Sequence, residues 1–291
     1  MKKKGIALLI TIILLAMLSL LLLKNLSISE RFIINNHHLK TMASANRLYL
    51  DTKQILHVKL HDLNSTEAFA LLFAQPISFY EHDFKMILTL SPLENRLNIN
   101  HLFKNGKINE EMLSLLEDIL NKHRIVDTHY FIDLLLDTLD SDHGERSYKT
   151  EIILYHPFFA NTTICSREHF MRIVDYYAQE KNDYGIYDIE WGNYIGFYNE
   201  KINLNFTSLP LLRLLLSDPS LDSSFKNKYY ESFEDLNLNE DQINYLKKLN
   251  VSFETSKFHV AVEFDDLIRP YTFEFDYSHK NGTSENVKYS F

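Results

Sequence analysis

The strongest hydrophobic pattern of the chain lies near its amino terminus. Residues 6–23 contain only two polar side chains, Thr11 and Ser19, and thirteen of these residues are Leu or Ile. As a helix this segment would be about 27 Å long, close to the roughly 30 Å hydrocarbon core of a bilayer. Lysines occupy positions 2–4, and basic residues before such a helix stay in the cytoplasm. The pattern predicts a single transmembrane helix, with the rest of the chain on the opposite side of the membrane.

Three interpretations of this segment are open. A cleaved secretory signal needs an Ala-x-Ala-like site directly after the apolar run, and residues 24–30 contain no alanine. A plain single-pass anchor would keep every residue. The third interpretation places a cut between Gly5 and Ile6, before the apolar run, so that the hydrophobic helix survives in the mature protein.

The pattern after residue 23 changes from helix to strand, then to helix, then back to strand. Residues 24–61 lack Gly and Pro and have apolar side chains at loose helical spacing, which predicts that the anchor helix continues beyond the membrane. Alternation over 77–90 predicts a strand, and residues 251–291 predict antiparallel strands with a turn at 280–283. Apolar spacing and capping residues predict helices at 110–123, 128–139, 166–181, 208–216 and 239–249.

Two short strand patterns stand out because they repeat. Leu97–Asn100 and Ile202–Asn205 both read apolar-Asn-apolar-Asn. Asn at such positions commonly satisfies backbone groups where a strand passes into a helix. The helical region between them, residues 101–201, therefore reads as an insertion into an α+β body.

Composition excludes several classes of protein. The 291 residues include one cysteine, Cys165, which rules out an internal disulfide framework and predicts a buried, small apolar side chain. The formal charge of −9 gives no indication of the basic surface that binds nucleic acid. Phosphate-loop, dinucleotide-binding and nucleophile-elbow motifs are absent from the sequence, so we expect no enzymatic activity.

One loop concentrates carboxylates. The candidate calcium ligands are Asp137, Asp140, Asp142, Glu145 and Glu151. The spacing of Asp140, Asp142 and Glu151 is similar to that of an EF-hand loop, although Gly144 comes one position early. Ca²⁺ takes six to eight oxygen ligands and would relieve the repulsion between these carboxylates. A solvated acidic loop is the alternative.

Several segments, in order along the chain, carry a resemblance to a known family. They are Gly5–Leu9, the two Asn-x-Asn segments, Leu134–Asp142 and Ser256–Val262. Together they resemble the K-type minor pseudopilins of the type II secretion system, the general secretion pathway protein K family. Ile10 stands where most pilins have Glu, and K-type members typically lack this Glu as well. Thr138 stands where the family has Trp, which is a departure.

The resemblance implies a fold and a set of domains. The expected fold class is α+β, with a pilin-like long N-terminal helix, an antiparallel β-sheet and a large inserted all-helical domain. The expected divisions are a prepilin leader at 1–5, the transmembrane part of the helix at 6–23, the periplasmic helix and first part of the pilin α/β domain at 24–100, the inserted α-helical domain at 101–201 and the remainder of the pilin α/β domain at 202–291.

The resemblance also implies a role. It predicts a minor pseudopilin at the tip of a pseudopilus that helps to initiate assembly and the export of folded proteins, together with I- and J-type minor pseudopilins. Prepilin peptidase would cut between Gly5 and Ile6, and Ile6 would be N-methylated. The protein would be anchored once in the inner membrane, with its C-terminal bulk in the periplasm. The resemblance raises the expectation of Ca²⁺ in the inserted domain and allows contact with secreted cargo, with no direct contact to nucleic acid.

Two alternatives stay open from sequence. One keeps the fold but places the protein in a DNA-uptake machine or a type IV pilus. The other is a single-pass periplasmic calcium-binding adaptor without a filament role.

Overall fold

A computed structural model of the chain describes residues 40–63, 65–81, 84–104, 106–140, 142–266 and 270–290. The predicted leader and transmembrane segment, including the Gly5–Ile6 cleavage site, lie outside these residues. Within the described residues, none of the helices has the length and apolar character needed to cross a membrane.

The described residues form eight α-helices. The first, α1, includes residues 40–60. The others are α2 (Thr66–Ala74), α3 (Glu110–Lys122), α4 (Thr128–Leu139), α5 (Ile152–Tyr155), α6 (Arg167–Lys181), α7 (Leu209–Leu215) and α8 (Glu240–Lys248). Two of them, α3 and α4, begin at the predicted residue, α6, α7 and α8 begin one residue later, and α2 and α5 were not predicted. The side chains of Asn109, Ser166 and Ser208 cap α3, α6 and α7, because each accepts a hydrogen bond from an otherwise unpaired amide of the first turn.

The strands are β1 (Ile77–Glu81), β2 (Phe84–Pro92), β3 (Leu97–Asn98), β4 (Phe103–Lys104), β5 (Lys107–Ile108), β6 (Ile195–Gly196), β7 (Ile202–Asn203), β8 (Val251–Ser252), β9 (Lys257–Asp266), β10 (Pro270–Ser278) and β11 (Thr283–Ser290). Five of them form one antiparallel sheet in the order β1-β2-β9-β10-β11. The predicted α+β class is confirmed. The single strand predicted over 77–90 is instead a hairpin, in which Ile77 pairs with Leu88.

The described residues bury two separate hydrophobic cores. The sheet core lies between one face of the large sheet and helices α1 and α2, where Leu56 and Phe69 pack on alternate residues of β9 such as Phe258 and Val260. The β10–β11 turn closes on α1 at Gly282. Its φ is +63°, and a Cβ there would lie 2.6 Å from His57 Nδ1, so only glycine fits without a shift.

The helical core extends further along the chain than the predicted insertion. It runs from Leu97 to Phe253 and includes α7 and α8. Apart from Phe206, which packs against the sheet core, the buried hydrophobic residues of 202–253 pack with the helices, beyond the end of the predicted insertion at 201. The reason is pairing over a long sequence distance, since β7 joins β8 in parallel through Ile202 and Val251.

The two Asn-x-Asn segments have the same local structure. In each, the first Asn ends a two-residue strand and caps a short 3₁₀ helix. Asn98 Oδ1 accepts from Asn100 N at 3.1 Å, and Asn203 Oδ1 accepts from Asn205 N at 3.0 Å. The predicted capping role of these residues is confirmed.

The second Asn of each segment holds a distant peptide unit. Asn100 accepts from Ile164 N at 2.8 Å and donates to Ile164 O at 3.0 Å. Asn205 makes the same pair of bonds with Tyr230, at 2.8 Å and 2.9 Å. Each Asn side chain thus supplies the two backbone hydrogen bonds that a neighbouring strand would otherwise provide to that loop. The sequence pattern shows only the Asn segment and could not reveal its distant partner.

A buried carboxylate joins the two cores. Glu94 lies just after β2 and is 3% exposed. Its side chain accepts from Ser256 N at 2.8 Å, Ser256 Oγ at 2.5 Å and Lys257 N at 3.3 Å, at the start of β9. The Glu94 carbonyl accepts from Asn203 N in the helical part. One residue therefore contacts the entry to and the exit from the helical core.

The outer face of the sheet carries a histidine with an altered pKa. His259 Nδ1 lies 2.9 Å from Asp276 Oδ1, and His259 Nε2 lies 3.5 Å from Glu274 Oε2. The hydrogen bond to Asp276 raises the pKa of His259, and burial opposes it. Because the folded pKa is raised, the charged imidazole stabilises the fold below its ordinary pKa of 6.5, and this stabilisation is lost as the pH rises through the raised value.

We therefore expect the melting temperature to fall between pH 6 and pH 8.5 through this group. His259→Gln should flatten that part of the pH profile, while His156→Gln, at an exposed position, should leave it unchanged. Thermal melts of the three proteins over this range test the prediction. Parallel profiles for wild type and His259→Gln would contradict it.

Candidate functional site

The predicted acidic loop begins inside the helical core. Helix α4 starts at Thr128, capped by Asp127, and its last turns carry Asp137 and Thr138 toward the interior. Thr138 satisfies its hydroxyl by donating to Leu134 O at 2.7 Å. Asp137 and Asp140 are almost fully buried, with side chains 0% and 6% exposed. Burying two carboxylates this close together requires a compensating positive charge or proton.

Arg146 supplies that charge. Its Nη1 donates to Asp137 Oδ1 and, at 2.5 Å, to Asp140 Oδ2. The backbone N–H of Arg146 donates to Asp137 Oδ2 at 3.1 Å. Burial works against the positive charge, but the two aspartates outweigh it and raise the pKa of Arg146. The guanidinium also lies 5.7 Å from the centre of the Phe103 ring.

Glu151 is the third buried carboxylate of this cluster. Its side chain is 0% exposed. Oε1 accepts from Asn161 Nδ2, which also donates to Asp137 O at 2.9 Å. Burial, reinforced by the charges of Asp137 and Asp140, raises the pKa of Glu151. A buried carboxyl with a raised pKa can lower the cost of its burial by taking up a proton.

The other two predicted ligands point away from the cluster. Asp142 is exposed and accepts from Gly144 N at 2.8 Å. Glu145 is exposed and accepts from Lys149 N at 3.1 Å. The hydrogen bond between Glu145 and Tyr155 raises the pKa of the tyrosine to about 12. These two carboxylates therefore form hydrogen bonds within the exposed part of the loop itself.

The five residues do not fit a calcium site in this arrangement. A Ca²⁺ ion needs six to eight oxygens around one point. Among the described residues, no three metal-ligating side chains converge on such a point. The space between Asp137 and Asp140 holds a guanidinium instead. Asp140 Oδ1, Glu151 Oε2 and Asn161 Oδ1 are buried and have no hydrogen-bond partner among the described protein atoms.

Two residues of this cluster were not predicted as site residues. Arg146 directly follows the acidic run in sequence. A basic residue beside several carboxylates was a signal that could have identified it. Asn161 lies ten residues after Glu151 in a loop, and nothing in its local sequence indicates the contact. Cys165 is also corrected, because it is exposed and not buried. The adjacent Ile164 is buried instead, and the Cys165 carbonyl accepts a hydrogen bond from the Tyr198 hydroxyl.

A cleft lies beside the acidic loop. It has a volume of about 330 Å³ and is formed between the segment 152–159 and α6. Phe158 at its rim is 99% exposed. Lys149 anchors the preceding turn to α6 through an ion pair of 3.0 Å with Glu180. The acidic loop therefore positions one wall of this cleft.

Comparisons with known proteins give a relationship in structure. Neither the protein-family models nor the curated protein sequences give a match to the chain. In structure, the chain is similar to a chain of the solved GspK-GspI-GspJ complex of the type 2 secretion system from enterotoxigenic Escherichia coli. The similarity has a TM-score of 0.64 and 12% sequence identity, over 90% of this chain and 99% of that chain. The two chains share one fold.

The extent of the match bears on the earlier prediction. A match over 90% of the chain must include both the sheet core and the helical core. The K-type resemblance found in the sequence is thus confirmed at the level of the fold, including the large helical part inside an α+β body.

Proposed function

We propose that the protein is a minor pseudopilin of a type II secretion pseudopilus, where it acts at the tip to help initiate assembly and the export of folded proteins. The observation that carries this proposal is the fold shared with a chain of the GspK-GspI-GspJ complex over 90% of the sequence. By that similarity, its partners would be I- and J-type minor pseudopilins. The prediction that it is not an enzyme is part of the same proposal.

The shape of the fold supports a place at the tip. The helical core is distinct from the sheet core, and the contacts that join them include those of Glu94 with Ser256 and of Phe206 with Phe73 of α2. Such a volume beside the sheet would collide with neighbouring subunits along a filament shaft, whereas at the end of the filament one side is free. Contact with secreted cargo, if it occurs, would use this exposed part.

The proposal includes processing at the amino terminus. Prepilin peptidase would cut between Gly5 and Ile6, and residues 6–23 would hold the mature protein in the inner membrane with its bulk in the periplasm. The support is the sequence pattern, a basic leader and Gly before an uninterrupted apolar run. Helix α1 is compatible with this arrangement, because residues 40–60 pack on the sheet as the pilin-like helix is expected to do.

The test is assembly followed by secretion. We expect the full-length chain, co-expressed in membranes with the I- and J-type pseudopilins of the same genome, to co-purify with both after detergent extraction. Deletion of its gene should abolish release of secreted hydrolases, and a plasmid copy should restore it. Loss of DNA uptake with normal secretion would move the protein to a competence machine. Failure to bind either pseudopilin, with secretion intact, would contradict the proposal.

A further inference from the structure

We propose that the guanidinium of Arg146 is the structural cation of the acidic loop, occupying the place between Asp137 and Asp140 where a metal ion would otherwise be required, so that the helical part folds without calcium. This inference does not depend on the role in secretion. It concerns how the chain compensates the charge of its own buried carboxylates.

The geometry around Asp137 is the first support. Arg146 engages both oxygens of this carboxylate, one through Nη1 and the other through its backbone N–H. The same Nη1 donates to Asp140 Oδ2. One residue therefore bridges two carboxylates whose side chains are at least 94% buried. In a low-dielectric interior such charge-assisted bonds are strong, and the carboxylates are costly without them.

The path of the chain is the second support. Arg146 lies nine residues after Asp137 and six after Asp140, so the bridge closes the turn that leaves α4. The other face of the guanidinium lies over the Phe103 ring at 5.7 Å, which positions it by a cation–π contact. A metal ion closes a loop by gathering its ligands around one point. Here a side chain of the loop performs that closure.

The remaining carboxylates do not form a competing ligand set. Asp142 and Glu145 accept hydrogen bonds from backbone amides on the exposed side of the loop. Glu151 is buried beside the pair and accepts from Asn161, with His143 Nδ1 3.8 Å away.

Trp191 gives a local signal for the test. It is the single tryptophan of the chain. It is buried in the helical core, stacked on Phe131 of α4 at 5.6 Å and edge-on to Phe170 of α6 at 5.0 Å. Its fluorescence therefore reports unfolding of the part of the molecule that contains the acidic loop, separately from the sheet core.

The first measurement is the melting of the full-length protein in detergent, followed by Trp191 fluorescence, in excess EGTA and in millimolar CaCl₂. We expect the two melting temperatures to agree within about 1 °C, because a ligand that binds the native state would shift the transition. A melting temperature that falls by several degrees in EGTA and returns with calcium would overturn the proposal, since it would show a resident calcium ion.

The second measurement uses Arg146→Met, which removes the charge and keeps an unbranched side chain. We expect its melting temperature to fall by about 6–15 °C, because two buried carboxylates lose their partner. Arg172→Met, at an exposed arginine on α6, is the matched control and should melt as wild type does. Equal melting temperatures for Arg146→Met and Arg172→Met would overturn the proposal.

A compensated variant keeps the test decisive if Arg146→Met does not fold. Arg146→Met combined with Asp140→Asn carries one carboxylate fewer, so we expect it to fold and to melt between wild type and the single variant. Arg146→Lys should also be intermediate, because it keeps the positive charge but has fewer donors and a more strongly hydrated head group. If neither variant recovers stability over Arg146→Met, the charge of Arg146 is not what holds the loop, and the proposal fails.

Discussion

Replacing Asn100 with aspartate is expected to lower the free energy of unfolding of the helical core by about 3 kcal/mol. The substitution keeps the shape of the side chain and exchanges only its NH₂ group for an oxygen. That NH₂ group donates to Ile164 O at 3.0 Å, to Phe197 O at 3.1 Å and to Asn98 Oδ1 at 3.0 Å. An aspartate would therefore place a carboxyl oxygen where the NH₂ group now faces three acceptor oxygens. In this partly buried site the oxygens would repel one another.

The repeated segment supplies a graded comparison. Asn205 donates to Tyr230 O at 2.9 Å and more weakly to Phe253 O at 3.4 Å, so Asn205→Asp should cost less, about 2 kcal/mol. Asn244 is exposed on α8, and Asn244→Asp should change stability by less than about 0.5 kcal/mol. Urea titrations followed by Trp191 fluorescence would give the order. Equal free energies of unfolding for Asn100→Asp and Asn244→Asp would show that the hydrogen bonds of the Asn100 side-chain amide do not hold the distant loop.

Replacing Glu94 with alanine should cost about 4 kcal/mol and affect both cores. Its carboxylate accepts three hydrogen bonds at the start of β9. Removing the acceptor leaves two backbone amides and a hydroxyl without partners in a buried site, and each such group carries a desolvation penalty of about 1–3 kcal/mol. Amide hydrogen exchange in β9 and β10, which reports the sheet core, and Trp191 fluorescence, which reports the helical core, should both show the loss of stability.

Two further variants define what the carboxylate contributes. Glu94→Gln retains one acceptor oxygen, and its NH₂ group can donate to the Ser256 hydroxyl, so we expect a loss of about 1 kcal/mol. Glu231→Ala removes an exposed carboxylate and should be nearly neutral. A Glu94→Ala protein whose two signals move no more than those of Glu231→Ala would contradict the role of Glu94 as a junction between the cores.

Much of the helical part could be predicted because its signals are local. The bounds of α3, α4 and α6 follow from apolar spacing and from capping residues such as Asn109 and Ser166, and the structure reproduces them within one residue. The antiparallel sheet near the carboxyl terminus was likewise predictable from alternation over Tyr271–Tyr277.

The missed features depend on contacts between residues far apart in sequence. The hairpin of β1 and β2 has no Gly or Pro at its tip, so residues 77–90 read as one strand. Residues 202–253 join the helical core because β7 pairs with β8 almost fifty residues later. In the acidic loop, the sequence placed five carboxylates together, but it could not show that Arg146 stands between two of them while Asp142 and Glu145 face outward.

The most direct test of the pseudopilin proposal is mass spectrometry of the amino terminus of the protein isolated from membranes of its own host. We expect the mature chain to begin at Ile6 with an N-methyl group, and the residues 1–5 to be retained in a strain without prepilin peptidase. A mature chain that begins at Met1 in both strains, or one that begins beyond Leu23 and is released from the membrane, would contradict the proposal.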